Sequence, residues 1–278
     1  SSSAGAGGAA GRSGSPSGGG GAGVAGGAAG AAGGAAGAAG GAGAAGAAGD
    51  GGSGAGEDAG FPPPDKLVAL TFDDGPSAQL TPAVLDKLEL YGVSASFFLI
   101  GQNISANTQA VLQRAASLGC TFENHSAGFA SLTATAADQV AASVDSTTAA
   151  IEQFTDQSPA FFRPPNLAVD QNMFDNIDLP FAGGLVGGDF PGGNNGGNPT
   201  VESVTNVILN GVQDGTIILL HDVQPSLNPQ VTPDALDIII PELRSRGYEF
   251  VNLRQLFERR GVDPNNPPNM VWAVVPPS

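Results

Sequence analysis

The first 60 residues cannot build a core. They hold about 26 of the chain's 43 glycines and about 21 alanines, and side chains that small remove too little apolar area from water to offset the entropy of ordering the chain. No Gly-X-Y period runs through the tract and Pro16 is its one proline, which excludes a collagen-like helix. Residues 1–60 therefore read as a disordered Gly/Ala-rich linker. The rest of the chain, roughly 215 residues, is long enough to bury about 70–75% of its surface as one folded unit.

Charge narrows the partners. The net charge is −16, and the linker holds only Arg12 against Asp50, Glu57 and Asp58, so nearly all of the excess lies on the folded part. Binding to nucleic acid or an anionic membrane needs clustered Lys and Arg, so a neutral or cationic substrate fits better. Cys120 is the only cysteine and permits no internal disulfide. No apolar run is long enough to span a bilayer.

From Phe61-Pro62-Pro63-Pro64 onward the pattern changes. Short apolar runs at 66–72, 96–100, 120–124, 160–163, 181–186, 216–221 and 247–252 read as strands. Helical patterns run from 81 to about 92, up to Gly119, and over 134–155, 170–177, 200–211, 232–246 and 253–260. Thr81-Pro82 and Thr232-Pro233 each offer a capping hydroxyl and a proline at the first helical position. Such alternation predicts an α/β fold, a distorted and incomplete (β/α) barrel with about seven parallel strands. Residues 261–278 read as a Pro-rich C-terminal tail carrying the only tryptophan, Trp272.

In a barrel of this kind the reactive groups belong where strands end. The first strand ends in Thr71-Phe72-Asp73-Asp74-Gly75-Pro76-Ser77. Later ends carry Glu123-Asn124-His125-Ser126, Phe162-Arg163-Pro164-Pro165, Asp189-Phe190 and Leu219-Leu220-His221-Asp222. The chain has 2 histidines, and both fall at these ends beside paired aspartates.

This ordered set resembles the polysaccharide deacetylases, carbohydrate esterase family 4, also called NodB-like. Ala95-Ser96-Phe97-Phe98-Leu99-Ile100-Gly101 and Gly247-Tyr248-Glu249-Phe250-Val251 are similar to the same family. The likeness marks 61–260 as the deacetylase-like domain and implies metal-assisted hydrolysis of N- or O-linked acetyl groups on a polysaccharide. By that resemblance Asp73 is the general base, oriented and charge-balanced by Arg163. Asp74 and His125 are ligands of a divalent metal, zinc by expectation. The backbone N–H of Asn166 binds the oxyanion, and Leu219 lines the pocket for the acetyl methyl, with Phe190 where the family has a tryptophan. His221 protonates the leaving group and Asp189 pairs with it. A metal makes water acidic enough to attack at neutral pH, and a histidine beside a carboxylate suits the release of the leaving group.

The chain departs from that pattern at Phe129, which stands where the family places a second metal-binding histidine. Glu123, Asn124 and Cys120 are near in sequence, and a strand turns alternate side chains to opposite faces, so the third ligand is left open. A non-catalytic glycan-binding or structural module derived from a deacetylase is the alternative reading. Ser1-Ser2-Ser3 and the Gly/Ala/Ser tract resemble the spacer of a bacterial lipoprotein. The expectation is a secreted or cell-surface monomer that meets acetylated polysaccharide, with membrane contact only through an N-terminal lipid anchor.

Overall fold

The computed structural model describes residues 66–193, 196–223 and 228–277. The linker at 1–60 lies outside them. Along the chain come β1 (Lys66–Asp73), α1 (Thr81–Tyr91), β2 (Ser96–Leu99), α2 (Gln109–Ser117), β3 (Thr121–Asn124), α3 (Ala137–Thr155) and α4 (Gln171–Asn176). Next are β4 (Phe181–Ala182), β5 (Leu185–Val186), α5 (Val201–Gly211), β6 (Thr216–His221), α6 (Val231–Ser245), β7 (Tyr248–Val251), α7 (Leu253–Arg260) and β8 (Val271–Trp272).

The main sheet has six strands, ordered β3-β2-β1-β6-β5 with β7 also on β1, and every ladder in it is parallel. One edge of β1 is shared, by β2 beside Thr71–Asp73 and by β7 beside Lys66–Ala69, while β6 runs along the other edge from Val68 to Asp73. Single bridges carry the curve onward from Asn124 through Phe162 to Phe181, and β4 pairs β8. This is an α/β fold of mostly parallel strands bent toward a barrel, with no closed ladder among the described residues.

Side-chain alternation along the strands sorts the core into two layers. Val68, Leu70 and Phe72 of β1, Phe97 and Leu99 of β2, Phe122 of β3, and Ile218 and Leu220 of β6 pack with Leu85, Leu88, Leu236 and Ile239 of the helices. The other file of the same strands faces inward, where Leu67, Ala69, Phe98 and Ile217 meet Val251, Leu256 and Trp272. Burying a side chain of this size is worth roughly 1.5–3 kcal/mol each.

The structure corrects four readings. Residues 160–163 form no strand, because Pro159 and Pro164 bracket the segment and take away ladder donors. The run 181–186 splits at Gly183, whose N–H donates to Trp272 O at 2.7 Å. The tail is part of the domain, since Trp272 and Val275 are buried and β8 extends β4. Finally, α1 and α6 take Leu80 and Gln230 as N-caps with no side-chain bond. The hydroxyls of Thr81 and Thr232 go instead to carboxylates on other strand ends.

Candidate active site

The inward files lead straight to the site. In β1, Leu67, Ala69 and Thr71 are followed on the same face by Asp73. In β6, Ile217 and Leu219 are followed by His221, and beyond β3 the file Thr121, Glu123 reaches His125. Hydrogen-bonding register sets Asp73 beside His221 on the adjacent strand. These groups, with Asp74, Phe129, Asn166 and Phe190, line a cavity of about 510 Å³.

Arg163 is the hub beneath it. The side chain is fully buried, and each of its nitrogens has a partner. Nη1 donates to Asp73 Oδ1 at 2.5 Å and to Thr71 Oγ1 at 2.9 Å, Nε to Ala182 O at 3.2 Å, and Nη2 to Gly183 O at 2.6 Å. Thr71 Oγ1 in turn donates to Ile218 O at 2.7 Å, and the guanidinium carbon sits 3.8 Å above the Phe98 ring. Burial pulls the guanidinium below its ordinary value and Asp73 opposes it; arginine remains charged under both influences. The planar fork thus fixes Asp73 Oδ1 and leaves Oδ2 facing the cavity.

His125 Nδ1 lies 2.7 Å from Arg163 O. A carbonyl can only accept, so Nδ1 carries the hydrogen, and a neutral ring would present its lone pair at Nε2. Nε2 faces Asp74 Oδ1 at 3.5 Å and Asp73 Oδ2 at 3.7 Å. Two ligands each about 2.1 Å from a tetrahedral cation would lie about 3.4 Å apart, so the Asp74–His125 pair fits one edge of a divalent metal site. Asp73 is already engaged by Arg163, and among the described residues no cluster of three or more His, Cys, Asp and Glu is arranged to hold a metal.

The sequence left three residues open as a third ligand, and all three are committed elsewhere. Glu123 is buried, accepts from the N–H groups of Ala160 and Phe161, and pairs with Arg254 at 2.9 Å. Its pKa is raised by burial against the pull of Arg254. Asn124 donates to Val144 O and Thr148 Oγ1 and accepts from Ser126 N–H. Cys120 is buried, which pushes its thiol up to about 11. Phe129 lines the cavity itself.

Across the cavity, His221 Nδ1 lies 2.8 Å from Asp189 Oδ1. Asp189 Oδ2 accepts from His221 N–H at 2.8 Å and from Thr232 Oγ1 at 2.7 Å. Burial disfavours a charged imidazole here, but the Asp189 carboxylate outweighs it and the ring is pushed up to about 9. The Phe190 ring meets His221 edge-on, with centroids 5.3 Å apart.

Backbone geometry shapes the rim. Asp74, Ser126 and Asn166, each just past a strand or bridge end, have φ of 76°, 66° and 59°, a left-handed conformation that non-glycine residues adopt at some energetic cost and that concentrates at functional sites. Beneath the Asp74 turn, Asp222 is buried and accepts from Thr81 Oγ1. A Cβ on Gly75 would lie 2.5 Å from Asp222 Oδ2, so this packing requires glycine there. Burial raises the Asp222 carboxyl to about 7.

All nine residues singled out from sequence therefore converge, seven of them lining the cavity and Arg163 and Asp189 standing behind it. Thr71, Thr81, Thr232 and Asp222 stand in or beside the motifs, which assign them no part in the site, and the structure bonds Thr71 to Arg163, Thr81 to Asp222 and Thr232 to Asp189. Thr71 was open to discovery, because strand alternation puts it on the face of Asp73.

A family model described as "Polysaccharide deacetylase" matches residues 61–178. The chain is 44% identical over 200 residues to a bifunctional xylanase/deacetylase of Pseudobutyrivibrio xylanivorans, covering 72% of this chain and 32% of that protein. It thus spans about a third of the length of that curated relative. A family 4 acetyl xylan esterase from Clostridium thermocellum, solved with a cobalt ion, superposes with a TM-score of 0.71 at 46% identity, covering 76% of this chain and 100% of that one. The Xyl-CE4 domain of a multidomain xylanase from the hindgut metagenome of Trinervitermes trinervoides gives 0.69 at 42% identity, covering 75% and 97%. With matches of this identity and coverage, the chain belongs to the polysaccharide deacetylase family.

Proposed function

We propose that the domain hydrolyses acetyl groups from an acetylated polysaccharide outside the cell. The observation that carries this reading is the pairing of Arg163 with Asp73 and of Asp189 with His221 on adjacent strands, facing one cavity beside Asp74 and His125. A catalytic base and a catalytic acid each need a partner that fixes orientation and charge, and here each has one.

Asp74 and His125 would hold a divalent cation, zinc or a cobalt-like ion, with Phe129 in place of a third side-chain ligand. Such a cation, when bound, polarises the acetyl carbonyl and acidifies the attacking water. Asp73, fixed through Oδ1, takes the proton of that water on Oδ2. The water oxygen bonds to the carbonyl carbon, and charge develops on the carbonyl oxygen near the Asn166 N–H. As the bond from carbon to the sugar oxygen or nitrogen breaks, His221 gives the leaving atom its proton, and Asp189 balances the imidazolium until then. Leu219 bounds the space for the methyl group. The three relatives described above, each over 40% identical, carry xylan or xylanase in their names, which supports O-acetylated xylan as the first substrate to try. The composition of residues 1–60 supports a spacer that keeps the domain clear of a surface.

The test is acetate release from acetylated xylan, chitooligosaccharide and peptidoglycan by chelator-treated protein, with and without added Zn²⁺, Co²⁺ or Ni²⁺. Release that depends on added metal is expected on at least one substrate. Glycan binding without release on any of them would favour the non-catalytic module instead.

A further inference from the structure

Phe129 draws attention first as a departure from the family pattern, and its placement gives it a use of its own. Its ring lines the cavity and remains 50% exposed. The other large exposed hydrophobics among the described residues are Leu90, Val169, Ile238 and Met270, none of them aromatic. A lone half-exposed aromatic ring at the wall of a catalytic cavity is an open apolar face beside the reacting group.

The turn that carries the ring is also tied down. Ser126 takes a left-handed φ of 66°, and its Oγ donates to Gly128 O at 2.8 Å. Gly101 N–H donates to Ser126 O at 2.9 Å and Gln102 N–H to Ala127 O at 3.0 Å, while Ala127 N–H donates to Ser143 Oγ at 2.9 Å. The turn from His125 to Phe129 is therefore tied to the 3₁₀ turn Gly101–Asn103 and to α3. Backbone ordering of this turn therefore adds little to the cost of covering the ring with a ligand. Phe190, in contrast, already packs on His221.

We infer that Phe129 is a substrate-binding residue whose ring packs against the C–H face of a pyranose unit at or next to the acetylated one. This inference rests on the proposed deacetylase function and says which part of the substrate the site grips. A pyranose has an apolar face of axial C–H bonds and no charge, which suits an aromatic ring on a chain of net charge −16. The position thus exchanges a metal contact for a sugar contact, so selectivity for a carbohydrate over a simple acetate ester resides partly in this side chain.

The experiment compares wild type, Phe129→Ala and Phe129→Trp on acetylated xylo-oligosaccharide and on ethyl acetate, which has neither a sugar nor an aromatic ring. Phe129→Ala is expected to raise KM for the oligosaccharide about three- to tenfold, the range of one aromatic packing interaction. Its kcat/KM for the oligosaccharide should fall by that factor relative to its kcat/KM for ethyl acetate, and Phe129→Trp should restore the KM. An unchanged oligosaccharide KM, or an equal loss on ethyl acetate, would overturn the inference. If wild type releases no acetate from any substrate, the proposed function falls on its own. Calorimetric affinity for xylohexaose then decides the role of the ring: weaker binding by Phe129→Ala supports it, and equal binding or none at all refutes it.

Discussion

Replacing Asp189 with asparagine should move the alkaline limb of the pH–rate profile by about three units. In the native site Asp189 Oδ1 lies 2.8 Å from His221 Nδ1, and the imidazole is pushed up to about 9. Charge centres about 4 Å apart at an effective dielectric of about 20 attract by about 4 kcal/mol, which is about three pKa units. Asparagine keeps the shape and an oxygen for Thr232 and the His221 amide but removes the charge, so His221 in Asp189→Asn should titrate near about 6. Protonated His221 is the form able to release the leaving group. At pH 8 the native ring would be about nine-tenths protonated and the variant ring about one-hundredth, a rate ratio of about a hundredfold, whereas at pH 5 the two enzymes should nearly match. Rates of acetate release across pH 5–10, together with an NMR titration of the His221 ring, measure both quantities. A variant whose limb stays above about pH 8, or whose rate falls as far at pH 5 as at pH 8, would refute the coupling of the Asp189 charge to proton donation by His221.

Three other outcomes are expected from the geometry. Phe129→His should strengthen Zn²⁺ binding by about tenfold or more, since it supplies the third side-chain ligand typical of catalytic zinc sites; calorimetry with the metal alone reads this directly, and unchanged affinity would mean that position 129 does not reach the Asp74–His125 edge. Arg163→Lys should destabilise the fold by about 3–5 kcal/mol in urea unfolding, because one ammonium cannot serve Asp73, Thr71, Ala182 O and Gly183 O together; a loss under about 1 kcal/mol would show that the fork is dispensable. Asp222→Asn should stabilise the metal-free protein above neutral pH by up to about 4 kcal/mol. The folded carboxyl holds its proton up to about 7 against 3.8 for the ordinary group, so native stability falls as pH rises through that window and the amide removes the fall. Equal Tm for the two proteins at pH 8 would contradict this.

Much of the fold and site was legible because its signals are local. Strand runs, helix patterns and the charged residues at strand ends can each be read within a few positions, and two histidines at strand ends beside aspartates left few ways to build the site. The strand read at 160–163 overlooks its own flanking prolines, whereas the other misreadings share a cause, partners distant in sequence. The hydroxyls of Thr81 and Thr232 look like helix caps because their partners, Asp222 and Asp189, lie 141 and 43 residues away. Nothing in the Pro-rich tail announces that Val271–Trp272 will extend Phe181–Ala182. Glu123 was ambiguous for the same reason: its file points at the site, but Arg254, 131 residues on, and the amides of Ala160 and Phe161 hold it below.

The most direct test of the central claim is acetate release from acetylated oligosaccharide by wild type and Asp73→Asn, each loaded with the same metal and its occupancy measured by calorimetry. Because Asp73 Oδ1 is bound to Arg163 and Asp74 and His125 supply the metal donors, the variant should bind metal within about threefold of wild type and lose at least about a hundredfold in kcat. Release by the variant at near the wild-type rate, or no release by metal-loaded wild type, would contradict it.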